Sequence, residues 1–292
     1  MKMSMRPQVL TELNSYRIRS RCEKFIAPRD LLSLRAAYKN SDGSSVIILG
    51  GGNNVIFSRT YYPDDFMFIS TRRLYATLLT KSCVDSVVVA GAGVSLRRLC
   101  YFSVKNSLGG LEKLWGIPST VGGAVVMNAG AFGTEIHQFI DYVIVYDSIS
   151  DAIISLPGSS LGTEYRSSIF RQRPHYVILK IAFKLDPVDS TAALNDMREI
   201  GIMRARRFPY ELPNAGSVFK KPLVGVGAGK LIENLGLKGW GIGDAMVSTK
   251  HAGFIVNVGN ATGTEIKQIA ESIRGKILQH YGISLEMEQI IL

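Results

Sequence analysis

Short apolar runs separated by glycine-rich or polar breaks dominate the first two thirds of the chain. Residues 46–49 (Val-Ile-Ile-Leu) run into Gly50-Gly51-Gly52-Asn53-Asn54, and Val55-Ile56-Phe57 follows at once. β-branched residues bounded by glycine read as strand, tight turn, strand. Residues 87–90 meet Gly91-Ala92-Gly93, after which 95–101 has helical spacing. Further strands are predicted at 142–146, 153–156 and 176–185, where apolar residues partly alternate. The pattern then changes. Asp186-Pro187 ends the β-rich portion, and 191–207 is rich in helix formers, closed by Pro209 and Pro213. A second helix is predicted after Thr262, whose spacing to Glu265 is that of a capping box. Ile266, Ile269, Ala270, Ile273, Ile277, Leu278 and Tyr281 fall on one face of it, and Gly282 suits its left-handed stop. The switch near 187 predicts two domains, 1–187 and 188–292, as expected for 292 residues when one domain takes roughly 100–200.

Composition narrows the class. Hydrophobic residues make up 46% and charged ones 20%, the profile of a globular chain. No apolar run approaches the about 20 residues of a membrane-crossing helix, so no membrane insertion is expected. No apolar region follows the basic start of the chain, which predicts a cytoplasmic protein without a secretory leader. Cys22, Cys83 and Cys100 are odd in number and widely spaced, and His137, His175, His251 and His280 form no HxH or HxxxH pair. Neither a disulfide framework nor a metal site is expected. The net charge of +10 favours anionic partners. Its clusters, at Arg17, Arg19 and Arg21 and at Arg204, Arg206 and Arg207, carry no interleaved aromatics and no nucleic-acid-binding motif, so phosphorylated small molecules are expected rather than nucleic acid. No obligate protein partner is evident.

Glycine clusters let backbone N–H groups approach an anion without an intervening side chain. None here has the Rossmann spacing. The third glycine would fall at Leu96 after Gly91, and at Val55 after Gly50, where a strand follows. Gly225 to Lys230 resembles a Walker A loop only in outline, because Leu231 stands where magnesium needs a hydroxyl. The segment 109–133, GGLEKLWGIPSTVGGAVVMNAGAFG, is dominated by small residues. Such a stretch suits backbone lying against a large planar ligand; it also suits strand packed closely on helix, and its composition does not separate the two.

Taken in order, LGGGNNVIFS (49–58), GLEKLWGIPSTVGGAVVMNAGAFG (110–133), YRSSIF (165–170), LPNAGSVFKKP (212–222), GAGKLIENLGLKGWGIGDAMVSTKHAGFIVN (227–257) and LEMEQI (285–290) resemble the UDP-N-acetylenolpyruvoylglucosamine reductase (MurB) family. The likeness runs from Asn14 nearly to the end, in the shorter subclass without an inserted tyrosine loop. It implies an α+β fold: an FAD-binding domain of the vanillyl-alcohol-oxidase/p-cresol-methylhydroxylase type, then a smaller α+β substrate-binding domain. It also implies two half-reactions, NADPH reducing FAD and hydride then passing to the enolpyruvyl ether of UDP-N-acetylglucosamine enolpyruvate, yielding UDP-N-acetylmuramate for peptidoglycan. Arg166 matches the arginine that stabilises the enolate, Ser217 the proton donor and Glu288 the catalytic glutamate. Strand alternation leaves Glu286 on the same face as Glu288; the family pattern favours Glu288. Lys220 and Lys238 are expected at the substrate's diphosphate or carboxylate. FAD contacts are expected from Gly50, Gly51, Gly52, Asn53, Asn54 and Val55, and from Ser119, Thr120, Gly123 and Ala124. No histidine or cysteine lies in the 50–55 turn, so FAD is expected to be non-covalent.

Several positions depart from the family pattern: Arg19-Ser20 where Gly-Gly is usual, Lys221 and Gly253 where asparagine is usual, and Gln289-Ile290 where Val-Arg commonly follow the glutamate. The competing reading is another flavin-dependent oxidoreductase of the superfamily, acting on an alcohol or 2-hydroxy acid. It shares the 50–133 features but gives no reason for Arg166, Ser217 and Glu288 to occur together.

Overall fold

The computed structural model describes residues 5–83, 85–222 and 225–292. The first four residues, where a leader was sought, lie outside that set. The fold is α+β, and the chain divides into two compact units interleaved along the sequence. One comprises Lys24–Gly51 and Asp64–Met203 with Met5 and Arg6; the other comprises Pro7–Glu23, Gly52–Pro63 and Arg204–Leu292. The sequence reading instead expects two consecutive segments meeting at 187/188. Interleaving arises because short segments near residues 15 and 55 pair with the C-terminal part, which no local pattern announces.

The first unit is built on a five-stranded antiparallel sheet, in the order Ala152–Pro157, Ile140–Asp147, Tyr176–Lys184, Val87–Gly91, Leu79–Lys81. The strand Tyr176–Lys184 explains why its sequence shows only partial alternation. Ile144 pairs with Lys180 but Val145 with Ile178, so Leu179 is an extra residue, a bulge. The bulge shifts the phase of the side chains. Val177 and Leu179 enter one apolar cluster with Met67, Ile69 and Leu34, whereas Ile181 and Phe183 enter another with Val143, Leu99 and Val121. Both faces of this sheet are therefore packed. The helix Leu31–Lys39 covers the first cluster, started by a capping box in which Asp30 accepts from Ser33 N at 2.8 Å. Helix Leu96–Lys105 covers the second and is capped by Ser95. The strand Ser45–Leu49 pairs in parallel with 66–70, ending at the Gly50 turn.

The second unit contains a small antiparallel meander of Gly241–Ile242, Ala245–Val247 and Ile255–Asn257 and the long helix Gly263–Tyr281. That helix begins with the expected reciprocal Thr262/Glu265 box and stops at Gly282, whose φ is 67°. Ile266, Ile269, Ala270, Ile273 and Ile277 are buried as predicted, each large one contributing roughly 1.5–3 kcal/mol. Leu278 departs from the predicted stripe and is 54% exposed. Gly263 sits so close to the Phe57 carbonyl that a Cβ would lie 1.8 Å from its oxygen. The strand Val55–Ile56 pairs in parallel with Ile290–Ile291. The "strand, turn, strand" of 46–57 is thus present, but its two strands belong to different units. No helix among the described residues is long and apolar enough to cross a membrane.

Candidate active site

In the first unit the small-residue segment has two structural duties. Thr120 caps the short helix Val121–Val126 by accepting from Gly123 N at 3.3 Å. Gly122 serves packing: its N–H donates to Ala92 O, and a Cβ there would meet Ala92 Cβ at 3.0 Å. That is close packing of the helix on the turn that follows the strand Val87–Gly91. Gly50 and Gly123 differ. A Cβ on Gly50 would meet Thr120 Oγ1 at 3.2 Å and Gly123 Cα at 3.6 Å, and one on Gly123 would meet the Thr120 and Ser119 hydroxyls at 3.2 and 3.3 Å. Side chains would fill the space between the Gly50 turn and the start of the helix, where glycine leaves backbone accessible. Gly51 is fixed from the side, its carbonyl accepting from Arg72 at 2.5 Å. Ala124 is buried in the core and its N–H donates to Thr120 O.

Arg166 lies at the far end of the same segment. It occupies the left-handed region at φ 58°, unusual for a side chain of this size, in a turn that Glu164 and Ser167 close with paired backbone hydrogen bonds. Its guanidinium donates to Asn128 O at 3.2 Å and Gly130 O at 2.8 Å and lies over the Tyr165 ring, 5.0 Å from the centroid. Buried Ser168 donates to Val126 O at 2.7 Å, tying the turn to the helix end. Asn128, fully buried at φ 42°, donates to Glu135 Oε2 at 2.9 Å and to Glu164 O at 3.1 Å, with its own Oδ1 2.9 Å from the His137 ring. Sequence reasoning missed Asn128 as the support of Arg166. The available signal was a polar residue amid small apolar ones, which a core accepts only when hydrogen-bonded.

In the second unit the 217–220 segment runs antiparallel to 286–288. Phe219 bridges to Met287, Lys220 N donates to Glu286 O at 2.9 Å, and Glu288 N donates to Val218 O at 2.8 Å. Ser217 is exposed and bridges to Phe254 on its other side. The Gly50–Val55 turn contributes its second half here. Gly52, at φ 68°, touches the Leu13 carbonyl so closely that no Cβ fits, and Asn53 donates to Ser15 Oγ at 2.7 Å. Asn54 donates to Glu288 O at 3.0 Å and accepts from Ile290 N at 3.0 Å. The two rival glutamates have different surroundings: Glu286 is exposed and pairs with Lys220 Nζ at 2.5 Å, while Glu288 is half-buried. Lys238 pairs with Glu233 at 2.5 Å, which holds the Glu233 carboxyl below its usual range. Gly253, one of the departures from the pattern, makes room for His251: its N–H donates to Nδ1 at 3.1 Å, and a Cβ would meet Cε1 at 3.0 Å. Burial, with Arg207 nearby, lowers the His251 pKa. Among the described residues no group of three or more His, Cys, Asp or Glu side chains comes together as a metal site.

Comparison with known proteins gives the class first. The family model of an FAD binding domain matches residues 23–150, and that of the C-terminal domain of UDP-N-acetylenolpyruvoylglucosamine reductase matches 208–292. The chain is therefore a flavoprotein with an FAD-binding domain. It is 39% identical over 244 residues to the UDP-N-acetylenolpyruvoylglucosamine reductase of Thermosipho melanesiensis, covering 84% of this chain and 81% of that one. It is 36% identical over 283 residues to that of Francisella tularensis subsp. tularensis, covering 97% and 98%. The crystal structure of the enzyme from Thermus caldophilus superimposes with a TM-score of 0.81 at 28% identity, over 99% of each chain. The chain belongs to the UDP-N-acetylenolpyruvoylglucosamine reductase family.

Proposed function

We propose that the chain reduces UDP-N-acetylglucosamine enolpyruvate to UDP-N-acetylmuramate, a step of peptidoglycan synthesis, with NADPH as reductant and non-covalent FAD. The observation that carries this reading beyond family membership is the backbone register setting the Ser217 segment against the Glu288 segment, two catalytic candidates 71 positions apart in the sequence. Gly50 and Gly123, which carry no side chains and lie beside the Ser119 and Thr120 hydroxyls, suit a cofactor approached by backbone and hydroxyl groups. FAD, when bound, supplies hydride exchange between the nicotinamide and the substrate's methylene carbon. The protein supplies position, charge and a proton.

On this reading residues 1–187 carry the cofactor role and 188–292 the substrate role. Gly50 to Val55, Ser119, Thr120 and Gly123 line the cofactor, mainly through backbone, with Ala124 packed behind them. Arg166 holds the substrate carboxylate, where charge develops as the α-carbon becomes enolate-like; a guanidinium stays cationic and offers paired donors. The Ser217 hydroxyl holds the proton destined for the α-carbon, and Glu288 completes the catalytic set. Lys220 and Lys238 turn from Glu286 and Glu233 toward the substrate's anionic groups. A nucleotide-linked substrate and a nicotinamide reductant suit a cytoplasmic location, and the reading needs no nucleic acid, membrane or obligate protein partner.

Anaerobic titration tests the proposal. NADPH should bleach the flavin absorbance, and the enolpyruvyl nucleotide should restore it. Absorbance that stays bleached with that substrate, but recovers with a keto compound, would indicate an oxidoreductase of alcohols or 2-hydroxy acids instead. Ser217→Ala should leave bleaching nearly intact and slow the recovery; equal damage to both phases would remove Ser217 from the proton-donor role.

A further inference from the structure

Gln289 is 4% exposed, and all three of its polar functions are used. Its amide nitrogen donates to Ala215 O and to Gly216 O, both at 3.1 Å. Its oxygen accepts from the Tyr16 hydroxyl at 3.0 Å. The two carbonyl acceptors fix which end of the amide is nitrogen, because only an NH2 group can satisfy both. Tyr16 is fully buried, and burial raises its pKa, so the phenol remains a protonated donor. Its backbone is held in turn: buried Asn257 donates to Tyr16 O at 2.8 Å. Next to it, the Asn14 side chain donates to the carbonyls of Leu10 and Ile18 and accepts from Ile18 N.

The two Gln289 amide bonds end on the two residues that precede Ser217. Gly216 is left-handed at φ 82°, and its N–H donates to Asn214 Oδ1 at 3.0 Å. Holding the Ala215 and Gly216 carbonyls holds the two peptide planes leading to Ser217, and with them the direction in which its Cβ leaves the chain. We propose that Gln289, held by Tyr16, is a positioning residue for Ser217. The inference rests on the reading of Ser217 as the proton donor. It gives one of the departures from the family pattern a function: where valine commonly follows the glutamate, this chain carries an amide that holds the serine turn. Valine has no donor for those carbonyls, so the pattern residue cannot do the same.

The holoenzyme carrying Gln289→Leu, which keeps side-chain size and removes the amide, tests this. NADPH reduction should stay within about twofold of wild type, while reoxidation by the enolpyruvyl nucleotide slows about 10- to 100-fold, the cost of a misplaced reacting group. The solvent deuterium isotope effect on reoxidation should rise as proton transfer becomes limiting. In a Ser217→Ala background the same change should add no further loss, because a positioning residue has nothing left to position. In the FAD-free protein, amide exchange across 214–218 should speed up. Reoxidation unaffected by Gln289→Leu, both phases slowed alike, or an additive loss in the Ser217→Ala background would overturn the proposal. If Ser217→Ala itself leaves reoxidation intact, the proton-donor reading fails first. If Ser217→Ala slows it and Gln289→Leu does not, only the positioning role fails. Should Gln289→Leu not accumulate folded protein, Tyr16→Phe decides, since it removes one hydroxyl from a retained ring. A selective slowing of reoxidation supports the proposal, and unchanged reoxidation overturns it.

Discussion

Arg166 and Ser217 are supported by different means. Arg166 sits on a strained left-handed residue whose guanidinium is held by two backbone carbonyls, at the edge of a unit with a doubly packed sheet. Ser217 follows a glycine in an exposed turn of a unit with few long strands, where buried amides and a phenol hold the chain. In the first case apolar packing makes the backbone rigid, and the backbone then holds the side chain. In the second, side chains hold the backbone. The lesson is that a short irregular segment can be fixed without a large core, provided that its carbonyls find buried donors.

The contrast can be broken by substitution, and Arg166→Ala is expected to have the largest effect. Flavin reoxidation by substrate should fall by about 10²–10³-fold while NADPH reduction holds, as for other losses of a charge-stabilising donor. Equal losses in rapid-reaction traces of both phases would make Arg166 structural. Asn128→Ala comes next. It deprives Glu135 and the Glu164 carbonyl of their partner and puts alanine at positive φ, so thermal stability should drop by about 1–3 kcal/mol. A melting temperature like that of wild type would show that the packed core holds Arg166 without it. Gly50→Val should weaken FAD retention by about tenfold, near 1.4 kcal/mol, measured as flavin absorbance per protein after gel filtration. Full flavin content would remove the Gly50–Gly123 space from the cofactor site.

Two smaller effects sharpen the picture of the second unit. The His251 pKa is lowered from 6.5 in the fold, so between the folded value and about 6.5 the unfolded chain binds more protons. Stability should therefore decline as pH falls below about 6.5, level off below the folded pKa, and lose this component in His251→Gln. A slope unchanged by that substitution would exclude the imidazole. Smallest is Lys238→Ala. A partly exposed pair with Glu233 predicts less than about 1 kcal/mol of stability, so a raised KM for the nucleotide with an unchanged melt would assign Lys238 to substrate.

Much of this was legible in the sequence. The strand at 87–91, the strands spanning 140–157, the two long helices and the Thr262 cap follow from periodicity and end signals, which are local. The bulge at Leu179 was not, because an extra residue shows only against its partner strand. Of the two readings of the small-residue segment, close packing is seen at Gly122 against Ala92, and flavin retention tests the other. Periodicity could not choose between Glu286 and Glu288, which differ in the fold in that Glu286 is exposed and pairs with Lys220 while Glu288 is half-buried. Asn128 left a signal in being polar amid small apolar residues, whereas Tyr16 and Gln289 were invisible as supports, since a hydrogen bond across 273 positions leaves no mark on either neighbourhood.

That last separation also sets an order in time. Synthesis delivers the strand Val55–Ile56 long before its partner Ile290–Ile291, and Tyr16 long before Gln289. At about 5–20 residues per second, residues 55–56 wait more than ten seconds for 290–291 to be made. Through that interval the 55–56 edge stays open, a place where another chain could pair. The turn that leads into Ser217 is then fixed only after residue 289 has been made.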